Sequence, residues 1–166
     1  RYQYSVDGSD TKTSSATLAI NDTVVRSRIR PTAYVIPKDI PNAEKILYIL
    51  DNQGAEYYEL APGSTANLKQ YYYVGEYTYE GSSKGFTADL REEAAVTFDQ
   101  GAYVIPMDQV SGNVIAMTME PDVNDSNGYD GTLVQYGLVS YDTATMNFPI
   151  YRYEGNNPRT TLVSNA

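Results

Sequence analysis

Ala33-Tyr34-Val35-Ile36-Pro37-Lys38-Asp39 recurs almost unchanged as Ala102-Tyr103-Val104-Ile105-Pro106-Met107-Asp108, with six of the seven positions identical. Each copy is a short apolar run that ends in proline, and such runs are typical of strands buried on both faces in an α/β sheet. Because proline cannot donate to a sheet ladder, Pro37 and Pro106 mark where the two strands end. The copies begin 69 residues apart and the chain between them does not repeat, which favours two similarly buried strands over an internal duplication.

The chain that follows the first copy predicts a helix and then another strand. Pro41 suits the first turn of a helix, and Gly54 suits its end. The strand after it is expected over residues 55–60. This order is typical of a crossover between parallel strands, so we expect a mixed, partly parallel sheet. The predicted helix has one apolar face at the spacing i, i+3, i+4, i+7, formed by Ala43, Ile46, Leu47 and Leu50.

The rest of the pattern predicts few further helices and an extra, tyrosine-rich β-hairpin. Residues 81–85 are expected to form a flexible loop beside this hairpin. Phe148–Tyr153 is expected to be an edge strand, because Pro149 would interrupt a central ladder. The other expected elements are a strand or hairpin over 17–30, strands over 68–80 and 94–98, and helices over 112–119 and 132–139.

The domain organisation predicted from these elements is simple. Residues 1–15 read as a polar linker or edge segment, residues 16–155 as a single three-layer-like α/β domain, and residues 156–166 as a C-terminal tail. The chain begins with Arg1 rather than methionine, so we expect a processed or excised piece of a longer protein. The sequence has no signal-like apolar segment and no apolar stretch long enough to cross a bilayer.

The charge of the chain disfavours two classes of partner. Its 166 residues carry a net charge of −9, with a pI near 4.4. An acidic surface repels nucleic-acid phosphates and anionic lipid head groups, so we expect no nucleic-acid binding and no membrane insertion.

The absence of histidine and cysteine limits the chemistry that the chain can perform. Histidine is the commonest general base and zinc ligand, and cysteine supplies thiolate nucleophiles and structural zinc sites. Catalysis in this chain would therefore depend on carboxylates, lysine or tyrosine. We predict no catalytic, cofactor-binding or metal-binding residues in it.

Three short motifs resemble catalytic or metal sites, and each has an ordinary explanation. Residues 81–85 match the Gly-x-Ser-x-Gly nucleophile pattern, but this pattern needs a histidine partner. Residues 122–130 are rich in Asp and Asn, but they do not keep the EF-hand spacing and are typical of a solvated turn. Asp89, Glu92 and Glu93 form an acidic cluster that indicates a charged surface patch.

Tyrosine is abundant, with 17 copies, and it is concentrated in the segment 71–79. Tyrosine rings on a sheet can stack on sugars or pack against a protein partner. We therefore take Tyr72, Tyr73, Tyr77 and Tyr79 as a possible binding surface. The alternative is that alternate rings cover the core while the others face solvent.

Several segments, taken in order, resemble the C-terminal accessory domain of bacterial zinc carboxypeptidases of the carboxypeptidase A type. In that family a Tyr-Val-Ile-Pro strand precedes a helix ending in Leu-x-x-Asn-Gly, and later segments follow in a fixed order. The resemblance spans residues 30–153. The matching segments are Ala33–Asp39, Asp51–Tyr57, Gly101–Gln109, Glu120–Asp122 with Asp125-Ser126, and Phe148–Arg152.

The resemblance implies a glutamine-amidotransferase-like α/β layer without its catalytic cysteine. The family's zinc ligands include a His-x-x-Glu pair and a later histidine, so none of them transfers to this chain. The resemblance thus implies a non-catalytic domain of a secreted, extracellular or cell-envelope bacterial protein. Zinc and peptide hydrolysis would belong to a catalytic domain upstream of Arg1, and the partners would be that domain and cell-wall peptide or glycan.

Two other functions remain open at this point. One is a stand-alone extracellular module that binds glycan or protein through the tyrosine-rich sheet face. The other is an independent enzyme that works with carboxylates alone, which requires two facing carboxylates in one pocket.

Overall fold

The computed structural model describes residues 2–5, 11–14, 28–79, 81–123 and 129–162. These segments contain eleven strands and four helices. The strands are β1 (Tyr2–Ser5), β2 (Thr11–Ser14), β3 (Ala33–Pro37), β4 (Tyr58–Leu60), β5 (Ser64–Tyr79), β6 (Ser82–Leu90), β7 (Ala94–Phe98), β8 (Ala102–Pro106), β9 (Asp122–Val123), β10 (Tyr129–Asp130) and β11 (Asn147–Tyr153). The helices are α1 (Ala43–Asn52), α2 (Gly112–Met119), α3 (Thr132–Gln135) and α4 (Pro158–Thr161).

One seven-stranded sheet organises the chain, in the order β4-β8-β3-β11-β5-β6, with β7 also paired to β5. The two copies of the repeated segment are neighbours at its centre. They pair antiparallel about their midpoints, with Val35 opposite Val104, and all five residues of each strand are buried. The prediction of strands buried on both faces is therefore confirmed.

The partly parallel sheet expected from the sequence is not found, because the ladders between the described strands are antiparallel. Strands β3 and β4 do run in the same direction on either side of α1. However, β8 lies between them and pairs antiparallel with both. The spacing of strand, helix and strand carries no information about a third strand that arrives 69 residues later.

The tyrosine-rich hairpin is present, and it is longer than predicted. β5 pairs with β7 through Ser64–Leu68 and with β6 through Tyr71–Tyr79. The loop expected over residues 81–85 is wrong, since Ser82 already belongs to β6. Gly81 and Gly85 both have positive φ. This conformation allows a short turn into β6 at Gly81 and an irregular register between β5 and β6 near Gly85, in place of a loop.

The strand containing Pro149 is central and not at the edge, which corrects a second prediction. β11 lies between β3 and β5. Its register with β5 shifts between Asn147 and Tyr151, and its pairing with β3 begins only at Tyr151. Pro149 therefore falls in an irregular stretch where its missing N–H interrupts no ladder bond.

The two faces of the sheet carry separate apolar clusters. Residues of α1, α2 and α3 pack on one face around Ile36, Ile105 and Phe148, and the four predicted apolar residues of α1 are all buried there. The other face carries a smaller cluster around Val35 and Val104 that includes Leu162, at the end of α4. The helix predicted over 112–119 is confirmed, while the one predicted over 132–139 is limited to Thr132–Gln135.

Both ends of the chain contain short elements among the described residues. β1 and β2 form a two-stranded antiparallel sheet within the segment 1–15. In the segment 156–166, Pro158 and Leu162 are buried. Most of the strand or hairpin predicted over 17–30 lies outside the described residues, and the described residues from Arg28 onwards form no strand before Ala33.

Candidate functional site

A cluster of polar side chains lies inside the fold where α2 ends against the sheet. Pro121 disfavours a helical conformation at Glu120, whose backbone is extended, and α2 stops there. The Glu120 carboxylate then accepts hydrogen bonds from two tyrosine hydroxyls, those of Tyr34 on β3 and Tyr71 on β5. Each ring is only 1% exposed, so one carboxylate joins two central strands to the end of a helix.

Two arginines next to Tyr71 complete this cluster. The guanidinium carbon of Arg28 lies 4.8 Å from the centre of the Tyr71 ring, and that of Arg152 lies 5.4 Å from it. Arg152, on β11, is 1% exposed and donates to the Tyr71 hydroxyl at 2.5 Å. Arg28 pairs with Glu120 at 3.3 Å. We call these residues and Asp122 the Glu120 network.

Asp122 extends the network to the outer strand of the sheet. Its carboxylate pairs with Arg28, and its Oδ2 accepts from the backbone N–H of Ala88 on β6 at 3.0 Å. Arg28 in turn donates to the Ala88 carbonyl oxygen at 2.9 Å. A buried carboxylate is costly unless it is paired and hydrogen-bonded, and Asp122 is both.

The electrostatics of the network keep its tyrosines protonated. Burial raises the pKa of Tyr34 and Tyr71 well above the ordinary value of 10.0, and the neighbouring Glu120 carboxylate raises both further. Burial, the largest single influence, lowers the pKa of Arg28, but the hydrogen bond to Asp122 and the electrostatic interactions with Tyr71, Asp122 and Glu120 together outweigh it and raise the pKa above the ordinary value. Near neutral pH the hydroxyls are therefore donors and Arg28 is a cation.

The arrangement is suited to holding elements together. A general acid or base must lie within hydrogen-bond reach of a substrate atom, whereas the polar groups of the network are directed at one another. Removing one partner would leave a buried charge or hydroxyl without its acceptor, which is the costly case. Within the described segments, no group of three or more acidic residues is placed to hold a metal ion.

Of the predicted tyrosine surface, the structure describes the side chains of Tyr72 and Tyr73, which are neighbours on β5 and face opposite sides of the hairpin. The Tyr72 ring lies under the guanidinium of Arg91 at 4.4 Å. The Tyr73 ring packs edge-on against Phe86 at 5.1 Å and also contacts Tyr141 at 5.8 Å. The backbones of Tyr77 and Tyr79 pair with Gly85 and Ser82, and their side chains lie outside the described part. The structure does not bring Tyr72 and Tyr73 onto one surface.

A cleft of about 500 Å³ opens between the start of α1 and residues 137–143. Asn42, in the left-handed region with φ 63°, donates from its side chain to the Leu138 carbonyl oxygen and fixes one wall. Asp142 on the opposite wall accepts from the backbone and side chain of Thr145 and from the backbone of Ala144. These bonds, first those from Thr145, lower the pKa of Asp142. Its carboxylate is thus used by its own loop.

Sequence analysis did not identify the Glu120 network as a site. Glu120, Asp122 and Arg152 belong to segments that carry the resemblance, but they had no assigned role. One signal was available, because an arginine in an otherwise apolar strand such as Phe148–Tyr153 needs a buried anionic or hydroxyl partner. The partner itself was not predictable, since 81 residues separate Tyr71 from Arg152.

The chain matches no protein-family model, no curated protein and no solved structure. Of the helices in the described segments, none has the length and apolarity needed to span a bilayer.

Proposed function

We propose that this chain is a non-catalytic C-terminal accessory domain of a secreted bacterial protein related to zinc carboxypeptidases. One observation carries the proposal: three of the five segments behind the resemblance meet in the Glu120 network. Tyr34 comes from the Tyr-Val-Ile-Pro strand, Glu120 and Asp122 from the Glu-Pro-Asp segment, and Arg152 from Phe148–Arg152. Residues from three distant segments of the chain thus contact one another inside the fold.

This convergence supports a shared architecture and not shared chemistry. Residues that serve only to maintain a fold recur together, because changing any one of them leaves its buried partner without a hydrogen bond or a counter-charge. The zinc site and the hydrolytic step would belong to a catalytic domain upstream of Arg1, and cell-wall peptide or glycan would be the substrate held nearby. The proposed location is extracellular or in the cell envelope.

Helix α2 offers a surface for contact with such a neighbouring domain. It has no charged residue, and three apolar residues are exposed here: Val110 just before the helix, and Val114 and Met117 on its outward side. These side chains are 108%, 40% and 60% exposed. A helix that is apolar on both sides is typical of an element covered by protein on both sides. We infer that α2 faces the upstream domain.

The three-layer-like arrangement predicted from the sequence belongs to the same proposal. Helices cover one face of the sheet, and Leu162, just after α4, belongs to the apolar cluster on the other face. In the proposed full protein, this second face gains the remainder of its third layer.

An activity assay on the purified chain tests the proposal. The chain is incubated with unblocked peptides, with and without added zinc, and free C-terminal amino acids are measured. We expect no release above that of the peptide alone, because the chain has no histidine and the carboxylates of the Glu120 network are bound internally. Zinc-dependent release by this chain alone would overturn the proposal.

A further inference from the structure

The edges of the large sheet are closed by different devices, and one edge is left open. Edge strands present N–H and C=O groups that can pair with another chain, and proteins usually block them. At one end of the sheet, β4 is only three residues long. The Gln109 side chain accepts from the Glu56 N–H at 2.7 Å and donates to the Glu56 carbonyl oxygen at 3.0 Å on the side that faces β8, so it continues the β8 pairing past Pro106 and leaves the short length of β4 as the protection of this edge.

Strand β6, at the other end, is blocked by carboxylates. The N–H of Phe86 donates to Asp130 at 2.7 Å, and the N–H of Ala88 donates to Asp122 at 3.0 Å. Arg28 donates to the Ala88 carbonyl oxygen, the next position along this edge. These side chains use the ladder positions that an incoming strand would need.

Strand β7 has no such protection in the described part of the chain. Its residues Ala94–Phe98 pair on one side with Ser64–Leu68 of β5. Among the described residues, no hydrogen bond reaches the other side of 94–97. The strand is uncharged, contains no proline, and exposes Ala94, Ala95 and Thr97. Alternate residues of such a strand direct their N–H and C=O groups away from β5.

The charges around β7 select the kind of strand that fits this edge. Glu92 and Glu93 precede the strand and Asp99 follows it, and all three are exposed. The nearby cation Lys69 is paired with Glu154 at 2.6 Å. Two copies of this chain pairing antiparallel through β7 would place Glu92 and Glu93 of one beside Asp99 of the other. Like charges at these positions oppose self-association.

We propose that the β7 edge binds an extended segment of a partner protein, with β-branched residues at its centre and lysine or arginine at both ends. The backbone of the segment pairs with Ala94–Thr97, and its basic ends lie beside Glu92, Glu93 and Asp99. Strand addition of this kind takes its affinity from main-chain bonds and its selectivity from the flanking side chains. The proposal does not depend on an upstream peptidase.

A peptide titration tests this inference. The probe is the synthetic peptide Lys-Lys-Val-Thr-Val-Thr-Val-Lys-Lys, and the readout is amide hydrogen exchange of the full chain measured by NMR. We expect saturable slowing of exchange at alternate residues within 94–97. The same peptide with every valine and threonine N-methylated has no donors on either edge of its central segment, so it is expected to give no slowing.

Charge reversal separates strand addition from general attraction to an acidic protein. Glu93→Lys should weaken binding about fivefold, because an attraction near the edge becomes a repulsion. Glu76→Lys makes the same charge change at an exposed position on β5 away from β7, and it should leave the affinity within about twofold. No protection of β7 by the probe, equal binding of the N-methylated peptide, or equal weakening by both variants would each overturn the inference.

Discussion

Arg152 shows how one residue sets requirements for several others. A buried guanidinium is costly unless its charge is paired and most of its donors are used. Arg152 donates from its terminal nitrogens to Tyr71 and to the Ile29 carbonyl oxygen and lies 3.5 Å from Glu154, while its Nε has no partner among the described residues. Tyr71 in turn donates to Glu120, which connects this strand to α2. The residues of the network therefore act as a set.

Glu120→Ala should be strongly destabilising, because Tyr34, Tyr71 and Arg28 lose their common acceptor. We expect a loss of about 3 kcal/mol in the free energy of unfolding, measured by urea denaturation. The exposed residue Glu76 provides the control, and Glu76→Ala should change stability by less than about 0.5 kcal/mol. Similar losses for the two variants would show that the network does not stabilise the fold.

Tyr34 should make the stability depend on alkaline pH. Its pKa in the folded protein is raised above the ordinary value of 10.0, first by burial and then by Glu120, so the folded state holds this proton more tightly than the unfolded state. The resulting stabilisation is complete below about pH 10 and is lost as the pH rises further.

The comparison of Tyr34→Phe with the unchanged chain isolates this effect. Above pH 10, the free energy of unfolding of the unchanged chain should fall more steeply than that of Tyr34→Phe, by about 1 kcal/mol per pH unit. Urea denaturation at pH 8 to 11 measures both slopes. Tyr136→Phe, at a ring 73% exposed, should keep the slope of the unchanged chain. Parallel curves for Tyr34→Phe and the unchanged chain would contradict the account.

At the scale of elements, local signals were sufficient to predict which residues form a helix or a strand and which of them are buried. The buried positions of α1 follow from a single apolar face, and the two Tyr-Val-Ile-Pro strands follow from their apolar runs. The direction of pairing and the place of β11 depend on contacts between distant segments. Pro149 led to the wrong prediction of an edge strand, because proline cannot donate a ladder hydrogen bond. In the structure, the irregular pairing of β11 with β5 requires no such bond at Pro149.

The turn from β7 into β8 depends on Gly101. Its φ is 82°, and a Cβ at this position would collide with the Leu60 carbonyl oxygen and contact Ala61. Gly101→Ala should therefore cost more than about 2 kcal/mol of unfolding free energy, since the backbone of β4 would have to move.

Gly54 is the matched control for this substitution. Its φ is also positive, at 70°, but nothing lies within 4 Å of a Cβ placed there. Gly54→Ala should cost only about 1 kcal/mol, the conformational part of the effect. Thermal or urea denaturation of both variants measures the difference, and equal costs would mean that the approach of Gly101 to Leu60 is not tight.

At the scale of the whole molecule, the sequence predicted an α/β domain, and the structure confirms that class with a mostly antiparallel sheet. The candidate site could not be predicted in the same way. The Glu120 network joins residues from five separate segments, and no spacing in the sequence relates them. The tyrosines drew attention through their number, but Tyr72 and Tyr73 are already in contact with Arg91 and Phe86.

The central claim is that this chain maintains a structural scaffold while the peptidase chemistry lies upstream. The most direct measurement is the sequence of the complete reading frame that precedes Arg1. We predict a domain of a few hundred residues that contains His-x-x-Glu and a later histidine, the size being typical of a catalytic domain. A reading frame with no such histidines before Arg1 would contradict the claim.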